Sequence, residues 1–320
     1  MDANDQPKFP YEHKYVRAPG GSLHYLHHPN PGRPALVGLH GFKDAARTFV
    51  FLEPLLLPNF ELFLLDWPGH GDSERATTGY YEPARLMGDL IAFTGAIPPE
   101  KYYMMGHSMG AAFAARYAGL FPEEVLGLVL FEGFSGLIPP EAEERRLRSW
   151  AQEFRLAGKE GAPQRATKMR GAEDAERLLA RIHNKLRPEQ VRLMREYLTR
   201  MDEDGSCSWK HDPRLSELTI PLPFPPLLSR ALWSRIESPV LLFFGGDSRL
   251  RPDEKAHRAG RELHEAKDAP ESAIDEILRH FKNLEFHDIA DAGHNIHHEK
   301  PDIAMSVMRE FFKKRGMGVG

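Results

Sequence analysis

Cysteine is nearly missing from this chain, with Cys207 the single one among 320 residues. One cysteine cannot form an internal disulfide, and it cannot supply the thiolates of a cysteine-ligated zinc site. The composition therefore fits a reducing compartment, and we interpret Cys207 as a structural or incidental residue.

Long apolar runs and an excess of charge of one sign are missing as well. No stretch approaches the ~18 apolar residues that a membrane span needs, and residues 1–10 lack the pattern of a secretory signal. The 42 basic and 46 acidic residues give a net charge of −4, which favours neither nucleic acid nor an anionic membrane as a partner. The sequence thus predicts a cytoplasmic protein that acts on a small molecule, and it leaves a homo-oligomer open.

Short apolar runs alternate with helical patterns along much of the chain, beginning with a predicted hairpin over 14–28. Strands that alternate with helices indicate an α/β fold with a mostly parallel, doubly wound sheet. The predicted strands are 35–41, 60–66, 101–107, 125–133, 238–247 and 283–290, and the predicted helices are 80–97, 109–121, 253–282 and 301–314.

The pattern changes between residues 136 and 230. Residues 141–203 have helical periodicity and many Glu, Arg, Leu and Ala residues, whereas 212–226 contain five prolines. This predicts a helical cap (136–230) inserted into a core made of 1–135 and 231–320. Apolar residues of the cap suggest an apolar substrate group, although burial within the cap would require such residues too: Trp150, Phe154, Phe224, Leu227 and Leu228.

The strongest motif is Gly106-His107-Ser108-Met109-Gly110, a G-x-S-x-G pentapeptide between a predicted strand and a predicted helix. In a nucleophile elbow the backbone turns so tightly that only glycine fits beside the serine, which is lifted above the sheet. The alternative is a serine that simply caps the helix. The strand–turn–helix context predicts Ser108 as the nucleophile.

A serine hydroxyl needs a general base, and a carboxylate must hold that base in the right tautomer. His294 follows the last predicted strand and is the predicted base. Asp247, at the end of the strand before it, is the first choice for the acid, with Glu132 as the alternative. His297 and His298 share the loop of His294 without a matched Cys, Asp or Glu spacing, so we predict no metal site and no cofactor.

Two backbone N–H groups are expected to form the oxyanion hole. One belongs to Met109, directly after the serine, and the other to Phe42, which follows the strand ALVGL and Gly41. The turn Asp66–Ser73 is rich in residues that fix unusual backbone angles, and we interpret it as scaffold.

The chain resembles the α/β-hydrolase superfamily over residues of about 20–135 and 230–315. The resemblance rests on five motifs that occur in the family's order: HGF, DWPGHGDS, GHSMG, GGD and AGHN. Residues 209–215 (WKHDPRL) look most like the lid-bearing serine hydrolase-like proteins, a group similar to meta-cleavage product hydrolases and carboxylesterases. The resemblance implies an α/β-hydrolase fold and a Ser108–His294–Asp247 triad. Two departures matter: the GGD turn is one residue shorter than usual, and serine at the nucleophile position disfavours epoxide hydrolase and haloalkane dehalogenase chemistry.

The leading hypothesis is a cofactor-independent serine hydrolase that cleaves a carboxylic ester of a small or medium, apolar substrate (EC 3.1.1 class). Thioesters, lactones and carbon–carbon bonds next to a ketone could be cleaved by the same residues, because the fold does not choose among them. Cofactor-free oxidation would need no other residues. A different class, a catalytically silent ligand-binding protein, stays open if the acid is missing.

Overall fold

The computed structural model describes residues 11–76, 81–134, 168–215, 226–263 and 270–317, with short pieces between 144 and 155. Its centre is an eight-stranded sheet in the order β1-β2-β4-β3-β5-β6-β9-β10. The β1–β2 and β2–β4 pairs are antiparallel and the other pairs are parallel. The strands are β1 Glu12–Ala18, β2 Gly21–His28, β3 Ala35–Leu39, β4 Glu61–Leu65, β5 Tyr102–His107, β6 Val125–Phe131, β9 Val240–Gly245 and β10 Leu284–Ile289.

The helices that cover the sheet follow the strands in the predicted alternation. After a 3₁₀ helix at Ala46–Leu52 they are α1 Glu53–Asn59, α2 Pro83–Ala96, α3 Met109–Leu120, α6 Pro226–Trp233, α7 Glu254–Leu263, α8 Ala273–Leu278, α9 Ile296–Glu299 and α10 Pro301–Lys313. The hairpin and the mostly parallel, doubly wound sheet are therefore confirmed. No helix among the described residues is long and apolar enough to cross a bilayer.

Each face of the sheet carries its own apolar core. Along β3, Val37 and Leu39 pack into one cluster with α2 and α3, whereas Leu36 packs into the other with α1 and α10. Successive side chains of a strand point to opposite faces, so a strand with helices on both sides is apolar throughout. This is why the sequence of β3 shows no alternation.

A second group of elements lies outside this sheet, within the range predicted to form the cap. It consists of α4 (Ala172–Ile182), α5 (Pro188–Leu198) and the antiparallel pair β7 (Thr199–Met201) and β8 (Cys207–Trp209). Val191 and Met194 of α5 pack with Val50 of the 3₁₀ helix. The apolar face of α5 therefore rests on the segment that follows the loop of His40–Lys43.

Close packing of α3 on β3 supports a prediction about Gly110. A Cβ atom there would lie 2.0 Å from the backbone oxygen of Leu39. Backbone cannot rotate away as a flexible side chain can, so we expect Gly110→Ala to lower the free energy of unfolding by about 3 kcal/mol or more.

Gly88 is the matched control, because a Cβ atom at this position of α2 would meet nothing within 4 Å. Gly88→Ala should raise the free energy of unfolding by ~0.5–1 kcal/mol, since alanine loses less backbone entropy in a helix. Urea unfolding measures both variants. Equal midpoints for the two would contradict the packing argument.

Candidate active site

Ser108 lies at the junction between β5 and α3 with φ 52° and ψ −115°. Its N–H donates to the Phe131 carbonyl at 2.8 Å, which fixes the junction against β6. A Cβ atom on Gly106 would lie 2.5 Å from the backbone nitrogen of Ala111, so the turn needs glycine there. The local geometry is that of a nucleophile elbow, as the pentapeptide predicts.

His294 lies in the loop between β10 and α9, beside the elbow. Its carbonyl accepts a hydrogen bond from Nε2 of His107 at 3.1 Å, and the two imidazole rings are 4.6 Å apart. The Gly293 N–H donates to the Glu299 carboxylate at 2.6 Å and fixes the other side of the loop. The structure therefore brings the predicted nucleophile and the predicted base to one place.

Glu132 is the carboxylate that contacts His294. Its Oε2 lies 2.5 Å from Nδ1 of the imidazole, and the Glu132 side chain is fully buried. The same carboxylate accepts hydrogen bonds from the Gly245 N–H at 2.8 Å and from the Ser248 hydroxyl at 2.7 Å. Three donors thus surround a carboxylate that has no contact with water.

Asp247, the first choice from the sequence, lies elsewhere. Its side chain is 58% exposed and accepts a hydrogen bond from Lys185 at 2.9 Å, and this ammonium group lowers the pKa of Asp247. The expected contact between Asp247 and His294 is thus corrected to a contact between Glu132 and His294. In this turn Gly245 and Ser248 donate to Glu132, whereas Asp247 points outward to Lys185.

Backbone conformation also marks the site. Among the described residues, the non-glycine residues with positive φ are Lys43 (61°), Ser108 (52°), Glu132 (56°) and Asp291 (55°). Each lies directly after, or within a few residues of, the carboxyl end of a parallel strand. Such conformations cost free energy and tend to cluster where function requires them. Positive φ at Glu132 is a signal that the sequence alone does not carry.

The loop that contains Phe42 lies against the elbow. A Cβ atom on Gly41 would be 2.8 Å from Nδ1 of His107 and 3.4 Å from Cβ of Ser108, so this backbone runs beside the nucleophile. Buried His40 holds the loop: its Nδ1 donates to the Gly41 carbonyl at 2.6 Å, and its Nε2 accepts from the Trp67 N–H at 3.1 Å. Burial keeps the pKa of His40 far below its usual value, so the imidazole stays neutral in both roles.

The Asp66–Ser73 turn serves as scaffold in this structure. The Asp66 carboxylate accepts from the Ala46 N–H at 2.6 Å and from the Asp72 N–H at 3.0 Å, and it contacts Nδ1 of His24 at 2.7 Å. His70 continues the same role, because its Nε2 accepts from the Lys43 N–H at 3.0 Å. Hydrogen bonds of this turn therefore hold the loop before the 3₁₀ helix and the first residue of that helix.

Residues 209–215 are fixed to that turn. The Asp212 N–H donates to the Gly69 carbonyl at 2.7 Å, and the Asp212 carboxylate accepts from the Tyr81 hydroxyl at 2.7 Å. Lys210 also pairs with Asp72 at 3.0 Å. The segment that follows β8 is thus anchored on the core next to the loop of Phe42.

A further link joins the residues between α4 and α5 to the histidine loop. Lys185 donates to the Asp291 carbonyl at 3.0 Å in addition to its bond with Asp247. Nδ1 of His183 lies 3.3 Å from the Asn295 amide nitrogen, and burial lowers the pKa of His183 to about 4. These contacts cover the loop of His294.

Most of the apolar residues predicted to line the pocket cannot be placed. Trp150, Phe154 and Phe224 lie outside the described residues, and so does the side chain of Leu227. Leu228 is 46% exposed. The predicted apolar pocket therefore stays a prediction.

Known proteins with similar sequences match either a part of this chain or most of it. A serine hydrolase-like protein of Danio rerio is 34% identical over 117 residues, which are 36% of this chain and 35% of that protein. The match thus spans about a third of that relative's length. A putative 2-succinyl-6-hydroxy-2,4-cyclohexadiene-1-carboxylate synthase of Bacillus subtilis is 28% identical over 293 residues, covering 87% of this chain and 89% of that protein.

Fold and family are supported by two further matches. A thioesterase domain from the curacin biosynthetic pathway superposes with a TM-score of 0.72 at 18% identity, over 93% of this chain and 99% of that domain. This likeness concerns the fold alone. A sequence model described as the α/β-hydrolase fold matches residues 34–301, from just before β3 to the first residue of α10. Since that match includes most of the chain, the protein belongs to the α/β-hydrolase fold family.

Proposed function

We propose that this protein is a serine hydrolase that cleaves a carboxylic ester of a small or medium, apolar substrate, with Ser108, His294 and Glu132 as its triad. The single observation that carries the proposal is the contact between buried Glu132 and Nδ1 of His294 at 2.5 Å, beside a serine in an elbow conformation. A cytoplasmic location stays a prediction.

In the first half of the reaction, Ser108 Oγ attacks the ester carbonyl carbon while Nε2 of His294 takes the hydroxyl proton. Glu132 stabilises the imidazolium that forms, because its carboxylate lies against Nδ1. When the tetrahedral intermediate collapses, the carbon–oxygen bond to the alcohol breaks. His294 returns the proton to the leaving oxygen, and the acyl group stays on Ser108.

The second half repeats these steps with water as the nucleophile. His294 takes a proton from water, the hydroxide adds to the acyl carbon, and Ser108 leaves with the proton returned by His294. In both halves the N–H groups of Phe42 and Met109 would donate to the oxyanion. Removing one such donor typically costs ~10²–10³ in kcat.

Cap residues are proposed to form the wall of the substrate pocket opposite the sheet. Support comes from the packing of α5 on the 3₁₀ helix and from the contacts of His183 and Lys185 with the histidine loop. Through these contacts His183 and Lys185 lie beside the loop of His294. An apolar pocket of this kind would select the acyl or the alcohol group of the ester by size.

The experiment that tests the proposal combines a covalent probe with a substrate series. A fluorophosphonate should label the wild-type protein at one residue, and mass spectrometry of the digested protein should map the label to Ser108. Turnover of p-nitrophenyl esters from acetate to long acyl chains should show an optimum of chain length.

Other outcomes separate the alternatives. The probe could label Ser108 while thioesters or lactones are cleaved faster than esters. The protein would then still be a serine hydrolase, but its substrate would be a thioester or a lactone. Neither labelling nor turnover would contradict the proposal and favour a ligand-binding protein that keeps the fold.

A further inference from the structure

A group of polar side chains lies next to the proposed triad, with His107 and His297 buried and Asp44 half-buried. A carboxylate oxygen of Asp44 and one nitrogen each of His107 and His297 lie within 4.8 Å of one another. The three residues come from separate parts of the chain: the loop after β3, the end of β5, and α9. None of them is a member of the triad.

His107 has one nitrogen in use and one free of any hydrogen bond. Its Nε2 lies 3.1 Å from the carbonyl of His294, an atom that can only accept, so Nε2 carries the proton and Nδ1 carries a lone pair. This Nδ1 is buried and has no hydrogen-bond partner among the described residues. The Gly41 backbone passes beside it, since a Cβ atom on Gly41 would lie 2.8 Å from this nitrogen.

His297 is fully buried and has a similar imbalance. Its Nε2 lies 3.0 Å from the Thr48 hydroxyl, which lies 2.6 Å from the Asp44 carboxylate, while its Nδ1 has no hydrogen-bond partner in the described part of the chain. A neutral imidazole with a lone pair on one nitrogen is the form that binds a metal ion.

A buried polar atom without a partner costs about 1–3 kcal/mol, so the unpartnered Nδ1 of His107 calls for a ligand. His297 could bind the same ligand through either nitrogen, and binding through Nε2 would replace its hydrogen bond with Thr48. Two neutral imidazoles and one carboxylate are a donor set that suits Zn²⁺, with a fourth position left for water. The Asp44 carboxylate would balance part of the charge of the cation. We propose that Asp44, His107 and His297 bind one Zn²⁺ ion.

Binding would draw the three side chains together. Ligand atoms of a tetrahedral zinc site lie about 3.4 Å apart at metal–ligand distances of about 2.1 Å. Because His107 also donates to the carbonyl of His294, a movement of its ring acts on the loop of the base. If the proposed ester hydrolysis holds, bound zinc therefore lowers kcat. The binding itself does not depend on that activity.

The test measures zinc directly on the full chain without a histidine tag. After dialysis against a chelator, competition with a chromophoric chelator gives the number of zinc ions bound and their affinity, and Co²⁺ absorption reports the ligand geometry. We expect the wild type to bind one equivalent of zinc tightly. His297→Gln and Asp44→Asn should each lower the zinc affinity by at least about 100-fold.

The control uses a second, more exposed group, His13, His24 and Asp72, whose ligand atoms also lie within 4.8 Å of one another. His13→Gln should leave the tight equivalent unchanged. Circular dichroism and thermal midpoints in the presence of chelator show whether each variant folds. If His297→Gln does not fold, Asp44→Asn tests the zinc site instead. The proposal would be overturned if the wild type bound no zinc tightly. It would also be overturned if His13→Gln lost the zinc while His297→Gln and Asp44→Asn kept it.

Discussion

Replacing Ser108 by alanine is expected to lower kcat for ester hydrolysis by roughly 10⁴- to 10⁶-fold. Without the hydroxyl no acyl-enzyme can form, and what activity is left comes from the oxyanion donors and from substrate binding. Labelling by a fluorophosphonate should disappear as well. The fold should be unaffected, because the Ser108 contact on which the elbow depends is a backbone hydrogen bond to Phe131.

Ser234 provides the control for this variant. It is an exposed serine that follows α6, so Ser234→Ala should keep both turnover and labelling. Steady-state kinetics on one p-nitrophenyl ester and a labelling gel compare the two variants with the wild type. Full turnover by Ser108→Ala would sink the acyl-enzyme mechanism, even if the family assignment still stood.

Glu132→Gln is expected to lower kcat by about 10⁴-fold. The glutamine has nearly the same shape, and its carbonyl oxygen can still accept from the Gly245 N–H. Its amide can no longer stabilise an imidazolium, and an amide N–H aimed at Nδ1 would force the imidazole proton onto Nε2, the atom that must act as base. The loss should therefore appear in kcat.

Asp247→Asn is the matched control, since Asp247 is the acid that the sequence favours. Its pair with Lys185 is solvent-exposed on both sides, at 37% and 58%, and pairs of this kind contribute at most ~1 kcal/mol. We expect kcat within about five-fold of the wild type. A large loss in Asp247→Asn together with a small one in Glu132→Gln would restore Asp247 as the acid.

The same two variants separate catalysis from stability. Glu132 is fully buried and accepts three hydrogen bonds, so Glu132→Gln can lower the thermal midpoint as well as kcat. A loss of kcat measured well below that midpoint would reflect a catalytic role of Glu132, because the variant is folded at that temperature. A loss that vanishes once the unfolded fraction is subtracted would assign Glu132 a structural role.

Local patterns in the sequence determined most of the fold and pointed to two of the proposed site residues. Apolar runs bounded by turn residues placed the strands, because a strand buried on both faces must be apolar along its whole length. The elbow around Ser108 is specified within five residues, since the tight turn itself requires the two glycines. The position of His294 follows from the strand order, which fixes the loop that reaches over the sheet.

Only the tertiary structure decided which carboxylate meets His294. Glu132 lies 162 positions before it in the chain, so no local pattern joins them. Both Glu132 and Asp247 follow neighbouring parallel strands that end at the same edge of the sheet, and their hydrogen-bond partners differ. The donors on Gly245 and Ser248 stabilise Glu132 inside, whereas Lys185 holds Asp247 outside.

The group of Asp44, His107 and His297 was likewise invisible in the sequence. Its members are separated by 63 and 190 positions, and spacing rules for metal sites apply to ligands that share one short segment. Three parallel strands and their loops converge at one edge of the sheet and bring these residues within 4.8 Å. Local chemistry thus determined the elbow of the proposed nucleophile, and the convergence of distant loops decided which side chains lie around it.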